Sequence, residues 1–292
     1  MEAGKKKHRL GFWQVDPMPS QEELEKYYRD VYFQKGVSGT YAAQYTEDER
    51  KSFVNRAVVT EHIWKKLRGE EKGSVYDIGC GEGFFIDYYL KEGWKVEACD
   101  FSSFGIETQN PHVLPHFIKG DIYDILEGKI KAGKNFDIIN LHGVLEHVPE
   151  PERLLELTRG VMHGGSLARI CVPNDYSRFQ KFLMDNGCLT YETWFAPPDH
   201  LSYFSFASLE ALLLESGFKI EKMNADFPVE VYLLNEHSNY WADRSKGKQA
   251  YYAKIKIENM LMEDDMDAYI EYMAGAARCG FGRSIVAFAT TP

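Results

Sequence analysis

The stretch VYDIGCGEGFF, residues 75–85, is the part of this 292-residue sequence best suited to binding a small ligand. A hydrophobic run ends at Asp77, and Gly79, Gly81 and Gly83 then occupy alternate positions before a helical pattern. Glycine permits positive φ angles and lets a ligand approach the backbone closely. The N-terminus of the following helix offers free N–H groups to a polar or anionic ligand. The spacing therefore predicts a ligand-binding loop rather than a simple turn.

Two classes of cofactor fit a glycine loop of this kind. Dinucleotide-binding enzymes use G-x-G-x-x-G, in which the third glycine allows close packing of the helix. Phe84 occupies that third position here. The carboxylate of Asp77 would repel phosphates but could bind an ammonium group. The loop therefore favours a cofactor with an amino-acid moiety and no phosphate, with a nucleotide-dependent oxidoreductase as the alternative.

Strand and helix patterns alternate around this loop from residue 74 onward. Strands are predicted at 74–79, 95–100, 116–122, 136–143, 166–174, 218–224 and 283–290, and helices at 84–93, 149–165 and 206–217. Alternation of this kind requires crossover connections, so it predicts an α/β fold with a doubly wound, mostly parallel, seven-stranded sheet. Ligands bind beyond the carboxyl ends of the strands in such sheets. The functional residues should therefore lie in the loops that follow the strands.

The segments outside this core define four predicted regions. They are an N-terminal helical cover (1–70), a cofactor-binding core (71–226), an insertion or lid (227–280) and a final core strand (281–292). In the cover, Ser20 and Glu23 have the spacing of a capping box. The apolar face of the helix that they begin is predicted to contain Tyr27, Tyr28, Val31 and Tyr32, and a second helix is predicted at 49–68. The basic run 5–9 is expected to be a frayed, solvated terminus.

The insertion is too long for a simple connection, so it should have a structure of its own. Most of it after residue 246 has a helical pattern. It is also rich in aromatic residues, which are common in ligand pockets; these are Tyr232, Tyr240, Trp241, Tyr251 and Tyr252. It is predicted to help roof the acceptor site, and a dimer-forming or merely packing subdomain is the alternative.

Composition excludes several classes of protein. The formal net charge of −10 argues against a general nucleic-acid-binding surface. No apolar run approaches the ~18–20 residues that span a bilayer, so no membrane partner is expected. The five cysteines form no C-x-x-C pair, which excludes a zinc ribbon. An odd cysteine count without a signal-peptide pattern predicts a reducing, cytoplasmic environment.

Several motifs in their order along the chain carry a resemblance to a known family. YDIGCGEGFF resembles the first motif of class I S-adenosylmethionine-dependent methyltransferases, and VEACDFS, KGDIYD, FDIINLHGVLEHVPEP and VMHGGSLARICVPN are similar to its later motifs. A later segment resembles the last part of the methyltransferase domain in the small-molecule subgroup that includes ubiquinone-pathway O-methyltransferases. This segment is PPDHLSYFSFASLEALLLESGFKI. The segment PMPSQEELEKYYRDVYF resembles leaders of methyltransferases found with sugar-modifying pathways. The resemblance covers roughly residues 50–226 and 281–290 and implies S-adenosyl-L-methionine as the cofactor.

The resemblance also implies roles for individual residues. Asp77 would orient the loop and help hold the methionine ammonium, while Asp100 would accept from the ribose hydroxyls and Asp121 would contact the adenine amino group. Arg56 or Tyr45 would reach the methionine carboxylate, with surface or core packing as the alternative. The remaining candidate cofactor-binding residues are Gly79, Cys80, Gly81, Gly83, Phe101, Ile122 and Leu141.

Three histidines are candidates for a catalytic base. Methyl transfer requires alignment of the nucleophile, and a base helps if the acceptor is a hydroxyl. His142 follows the fourth core strand, His147 comes about one turn later, and His200 lies where an acceptor should approach. A structural role is the alternative for His147 and His200. If the segment is helical, His142 and Glu146 share a face and could bind a divalent metal with His147, but no metal is the preferred prediction.

The sequence thus predicts a methyltransferase that acts on a small molecule. The preferred reaction is O-methylation of a sugar or nucleotide-sugar. The alternatives are N-, C- or O-methylation of a natural-product or quinone-like intermediate, and an inactive cofactor-binding regulator. A small-molecule acceptor is the expected partner, with a carbohydrate as one candidate, and a homodimer is one option.

Overall fold

The computed structural model describes residues 4–27 and 44–292, and within these ranges a central sheet contains seven strands. A smaller sheet contains three. The strands are β1 (Gly4–Lys7), β2 (Trp13–Asp16), β3 (Ser74–Ile78), β4 (Lys95–Asp100), β5 (Phe117–Lys119), β6 (Phe136–His142), β7 (Met162–Pro173), β8 (Ser202–Tyr203), β9 (Lys219–Ala225) and β10 (Ser284–Thr290).

The helices are α1 (Gln21–Tyr27), α2 (Glu47–Arg68), α3 (Phe84–Lys91), α4 (Phe104–Gln109), α5 (Ile122–Lys131), α6 (Pro151–Gly160), α7 (Arg178–Asp185), α8 (Phe206–Glu215), α9 (Gly247–Leu261) and α10 (Met266–Arg278). Short 3-10 helices lie at Pro111–His116, Val229–Leu234 and Arg244–Lys246. No helix in the described ranges has both the length and the apolar character needed to cross a membrane.

The central sheet confirms the predicted fold class. Its strand order is β5-β4-β3-β6-β7-β10-β9. The pairs from β5 to β7 are parallel, whereas β10 runs antiparallel to both of its neighbours. The order reverses between β3 and β6, and such a reversal opens a crevice at the carboxyl ends of the two strands. The glycine loop follows β3 and therefore lies at this crevice.

The pleat of the strands determines which polar residues meet. Val75 and Ile138 face one apolar cluster, while Tyr76 and Ile139 face the cluster on the opposite side of the sheet. Because side chains alternate with a period of two, Asp77 shares a face with Val75. Across the strands Asp77 pairs in register with residue 140, residue 140 with 169, and residue 142 with 171. A row of polar side chains is thereby placed beneath α2 and α9.

The structure corrects two expectations. The basic run 5–9 is not frayed, because β1 pairs with β2, which pairs in turn with β8. Lys5 Nζ donates a 2.8 Å hydrogen bond to the hydroxyl of Tyr176 and also pairs with Glu192. The helix predicted at 149–165 ends at Gly160, since β7 already begins at Met162.

Other local expectations are confirmed. Ser20 and Glu23 form the predicted capping box, with hydrogen bonds of 2.8 Å and 3.3 Å between backbone N–H groups and side chains. Gly93 follows α3 with a φ of +80°, as a helix C-terminus favours. The insertion contains α9 and α10, with α9 packed on α2 and α10 packed on β9. The predicted positions Tyr28, Val31 and Tyr32 lie outside the described residues.

Candidate active site

The loop after β3 adopts a conformation that requires glycine at its first turn. Gly79 has a φ of +70°, and a Cβ built there would lie 2.4 Å from Cγ2 of Val144. The backbone N–H groups of Gly79 and Cys80 both donate to the carbonyl of Cys99, at 2.8 Å and 3.1 Å. These contacts hold the loop against the ends of β4 and β6, so its backbone can line a cavity without side chains in between.

Four polar side chains form a chain of hydrogen bonds at the floor of the site. Asn140 Nδ2 donates to Asp77 Oδ1 at 2.7 Å, and Arg169 donates to Asn140 Oδ1 at 2.9 Å and to His142 Nδ1 at 3.1 Å. Asp77 is 1% exposed and Arg169 is 4% exposed. Burial raises the pKa of Asp77 to about 7, although the hydrogen bond from Asn140 opposes this. Sequence reasoning missed Asn140 and Arg169, although polar residues inside two buried strands were a signal.

This hydrogen-bond chain determines the tautomer of His142. A guanidinium group has donors and no acceptor, so Nδ1 of His142 must accept and its hydrogen must be on Nε2. Burial and the nearby charges of Arg56 and Arg169 lower the pKa of His142 well below its usual value. His142 is therefore a neutral imidazole that can donate from Nε2.

The two acids after β4 and β5 have different environments. Asp100 accepts from the backbone N–H of Gly81 at 2.9 Å and from that of Ser102 at 3.0 Å. Burial raises its pKa, and these N–H groups act in the opposite direction. Asp121 is exposed and caps α5, accepting from the N–H of Tyr123 at 2.8 Å. Both carboxylates lie at the same edge of the sheet as the glycine loop.

A cavity of about 790 Å³ joins these features. It brings together most of the predicted site residues, which are Arg56, Asp77, Gly79, Cys80, Gly81, Gly83, Asp100, Phe101, Asp121, Ile122, His142 and His147. Leu141 lies outside its wall, because it is fully buried in the core on the other face of the sheet. Tyr45 also lies outside the wall, but its hydroxyl donates to the Glu82 carboxylate at 2.8 Å, and Glu82 lines the cavity.

His147 and His200 pack against each other at one end of this cavity. Their ring centroids are 4.9 Å apart, and His147 lines the cavity while His200 does not. His147 Nδ1 lies 2.6 Å from the backbone carbonyl of Asp199. Because a carbonyl only accepts, Nδ1 carries a hydrogen, and in the neutral imidazole Nε2 is then the acceptor nitrogen. Nε2 lies 3.9 Å from a carboxylate oxygen of Glu146. Burial lowers the pKa of His200 to about 3, which favours its neutral form.

The same histidines form a geometric group that a metal ion could use. Glu146, His147 and His200 each place one potential ligand atom within 4.8 Å of the others. Glu146 Oε2 and His200 Nδ1 are buried without a hydrogen-bond partner among the described residues. His142 is not part of this group. The metal alternative based on a shared helical face of His142 and Glu146 is therefore not supported by the arrangement.

A second cavity of about 220 Å³ lies beneath α9. It shares Phe53, Arg56 and His142 with the larger cavity, so the two meet at the end of β6. Its walls come from α2, α9 and α10 and from the ends of β6, β7, β9 and β10. No spacing pattern in the sequence indicated this cavity, because its walls are far apart along the chain.

Comparison with solved structures identifies the same fold in known enzymes. A SAM-dependent methyltransferase from Archaeoglobus fulgidus is 18% identical, with a TM-score of 0.53, over 90% of this chain and 100% of that one. The plantazolicin methyltransferase BpumL, solved with a pentazolic desmethylPZN analog and SAH, is also 18% identical. Its TM-score is 0.54 over 92% of this chain and 94% of that one.

Sequence relatives agree over a shorter stretch. The ubiquinone biosynthesis O-methyltransferase of Klebsiella pneumoniae is 28% identical over 96 residues, which are 32% of this chain and 40% of that protein. The enzyme of the same name from Coxiella burnetii is 34% identical over 84 residues, or 28% of this chain and 36% of that one. The chain thus spans about two fifths of the length of the curated relatives it matches.

A family model described as a methyltransferase domain matches residues 47–223. This range includes the glycine loop, both acids that follow β4 and β5, and the three histidines. The match favours the sulfonium cofactor over the dinucleotide alternative that Phe84 already disfavoured. The chain belongs to the methyltransferase domain family.

Proposed function

We propose that the enzyme methylates a hydroxyl oxygen of a small acceptor and that His147 accepts the hydroxyl proton. The observation that carries this proposal is the 2.6 Å contact between His147 Nδ1 and the Asp199 carbonyl. In the neutral imidazole this contact favours the tautomer in which Nε2 accepts, on a residue that lines the large cavity. A hydroxyl must lose a proton as it is methylated, so a positioned acceptor nitrogen suits this reaction.

The residues of the large cavity fit the cofactor. The volume lies within the ~300–1,000 Å³ range of small-molecule sites, and the glycine loop lines the cavity, where glycines let a ligand approach the backbone closely. Asp77 would face the ammonium, Asp100 the ribose and Asp121 the adenine amino group, while Arg56 would pair with the carboxylate. The other proposed contacts are Gly79, Cys80, Gly81, Gly83, Phe101 and Ile122. Leu141 would support the site from the core, and Tyr45 would act through Glu82.

When bound, S-adenosyl-L-methionine supplies a methyl group whose bond to sulfur breaks as its bond to the acceptor oxygen forms. His147 Nε2 would take the proton and later release it to solvent. His142 would donate a hydrogen bond from Nε2 and help orient the acceptor, since Arg169 occupies Nδ1. His200 would be a positioning residue, because its ring packs on that of His147.

The proposed acceptor class rests on the named relatives and on the N-terminal leader segment. The relatives named for ubiquinone biosynthesis favour a quinone-like or phenolic compound, whereas the carbohydrate acceptor rests on the leader segment alone. Helix α9 lines the second cavity, which supports the proposal that residues 227–280 form a roof over the acceptor site. We propose the same four regions of the chain as the sequence predicts, with boundaries after residues 70, 226 and 280. A homodimer stays the alternative use of this insertion. The five free cysteines suit a reducing, cytoplasmic compartment.

The substitution His147→Asn tests the proposal. Asparagine can keep a donor near the Asp199 carbonyl while it removes Nε2. We expect kcat for a catechol, or for a sugar acceptor, to fall by about 10²-fold or more, with unchanged affinity for S-adenosylhomocysteine by calorimetry. His163→Asn is the matched control, since His163 lies outside both cavities and should leave kcat unchanged. Wild-type kcat in His147→Asn, or turnover of amines but not hydroxyls, would refute the assignment.

A further inference from the structure

We infer that the second cavity binds an acidic group, a carboxylate or a phosphate, carried by a methyl acceptor that is about one ring in size. This inference rests on the proposed function, because the ligand is assigned as the methyl acceptor from the wall that the second cavity shares with the cofactor cavity. Phe53, Arg56 and His142 form that wall. An acceptor seated in the second cavity would therefore reach toward the larger one at the end of β6.

More cationic than acidic side chains line the second cavity. Among the described residues, its cations are Arg56, Arg169, Lys254 and Arg283, and its acids are Asp226 and Glu258. Lys254 Nζ lies 2.7 Å from Asp226 and 3.9 Å from Glu258, so these three groups neutralise much of their own charge. Arg283 reaches outward to Glu230 at 3.4 Å and to Asp175 at 3.5 Å.

Two guanidinium groups remain without a carboxylate. Within the described ranges, neither Arg56 nor Arg169 has an acidic side chain within 4.0 Å. Among the described residues, Arg169 donates to Asn140 and His142, which are both neutral acceptors, and it is 4% exposed. Arg56 is half-buried and lies over the ring of Phe53, with 5.2 Å between Cζ and the ring centroid. Buried charges are normally paired, so the buried Arg169, with Arg56 beside it in the same wall, favours an anionic ligand.

Arg56 is also the proposed partner of the cofactor carboxylate, so the argument does not depend on it alone. Arg169 and an unsatisfied amide supply the second observation. Asn224 lines the cavity, is 4% exposed, and its Oδ1 has no hydrogen-bond partner among the described residues. Buried amides are usually satisfied. A hydroxyl or a protonated oxygen on the ligand would satisfy this acceptor while its anion meets Arg169.

The volume limits the size of the ligand. A cavity of ~150 Å³ holds benzene, so about 220 Å³ holds one substituted ring. A whole nucleotide-sugar is too large, although a single sugar acid or sugar phosphate is not. Phe53, Tyr251, Ile255 and Phe288 supply apolar walls for the ring. The cavity therefore combines an apolar body with a cationic end.

Binding of three probes to the enzyme loaded with S-adenosylhomocysteine tests this inference by calorimetry. The probes are benzoate, phenyl phosphate and nitrobenzene, a neutral compound of nearly the same shape as benzoate that, like benzoate, has no hydrogen-bond donor. At least one of the two anions should bind ten times more tightly than nitrobenzene, and the stronger anion identifies the group that the cavity selects. Equal affinity for nitrobenzene and both anions would overturn the inference.

The substitution Asn224→Leu tests the location. The leucine fills part of the cavity, and the change removes a side-chain amide whose Oδ1 has no hydrogen-bond partner among the described residues. We therefore expect anion affinity to fall at least tenfold without a loss of thermal stability. Asn174→Leu is the matched control, because Asn174 donates to the Gly282 carbonyl at 2.9 Å and lines neither cavity. That control should lower stability and leave anion affinity unchanged. Unaltered anion affinity in Asn224→Leu would overturn the site.

These measurements separate the inference from the proposed function. Probe binding needs no turnover, so it does not depend on whether His147 accepts a proton. If His147→Asn keeps full activity while benzoate still binds through Asn224, only the catalytic assignment is wrong. If the anions fail to bind while His147→Asn loses activity, only the acidic-acceptor inference is wrong.

Discussion

Replacing Gly79 with alanine should damage the cofactor loop through two separable effects. An alanine at a φ of +70° adopts a left-handed conformation, which costs about 1–2 kcal/mol for an L residue. Its Cβ would also lie 2.4 Å from Val144 Cγ2, and overpacking of a filled site costs about 1–3 kcal/mol. We therefore expect Gly79→Ala to lower the free energy of unfolding by about 2–5 kcal/mol.

Urea denaturation of matched variants separates the two effects. Gly133 has a similar φ of +66°, but a Cβ there would meet nothing within 4 Å. Gly133→Ala should therefore show only the conformational cost. In the double variant Gly79→Ala/Val144→Ala the clash is removed, so a double-mutant cycle should give a favourable coupling of about 1–3 kcal/mol.

Cofactor affinity should follow the clash rather than overall stability. Gly79→Ala displaces the loop, so it should weaken S-adenosylhomocysteine binding in calorimetry, and the double variant should recover part of that affinity. Gly133→Ala should bind like the wild type. If Gly79→Ala is no more destabilised than Gly133→Ala and the coupling is zero, the close approach to Val144 does not constrain the loop.

Two further substitutions probe the acids of the site. Because burial raises the pKa of Asp77 from 3.8 to about 7, the folded apo enzyme binds this proton more tightly than the unfolded chain, and the contribution of Asp77 to stability falls as pH rises through that window. Asp77→Asn should therefore raise the melting temperature of the apo enzyme relative to the wild type at pH 8 but not near pH 4. It should also weaken S-adenosylhomocysteine binding about 10–100-fold. A difference in melting temperature between the variant and the wild type that does not change with pH would contradict this reasoning. Asp121→Ala removes the N-cap of α5 and should cost about 0.5–2 kcal/mol in urea denaturation, with Asp124→Ala, which loses no cap, as the control.

The core of the fold was predictable because each strand is a short apolar run bounded by turns. Strands buried on both faces show such runs rather than alternation, and every predicted strand from residue 74 onward is present in the described ranges. The small sheet was missed because β1 is mostly lysine, and Lys5 is held by Tyr176 and Glu192. Those partners are more than 170 residues away along the chain, so no local pattern reveals them.

The candidate site, like the fold, could be predicted from the sequence only in part. The loop glycines and the acids after β4 and β5 follow strand ends directly, so sequence order was enough to place them in one cavity. The position of His200 behind His147 depends on how the segment before β8 folds back, which no spacing determines. Arg169 and Asn224 were missed for a related reason. Each is a polar residue within a strand, and its role appears only when the register of neighbouring strands aligns it with others.

The two cavities differ in the charges that line them, and this difference bears on the reaction. The larger one presents Asp77, Asp100 and Asp121. The smaller one presents Arg169, which has no acidic side chain within 4.0 Å among the described residues, and Arg56 lies in the wall that the two cavities share. The acids of the smaller cavity, Asp226 and Glu258, face Lys254. Acids suit a cationic donor and cations suit an anionic acceptor. His142 stands at their junction as a neutral imidazole, because burial and the cations beside it disfavour its protonation. A protonated His142 would add a positive charge beside Arg56 and Arg169, and its Nδ1 could no longer accept from Arg169. The Arg169 hydrogen bond and the neutral state of the imidazole therefore support each other, and a neutral imidazole leaves the guanidinium groups as the cations that an acidic group on the acceptor would meet.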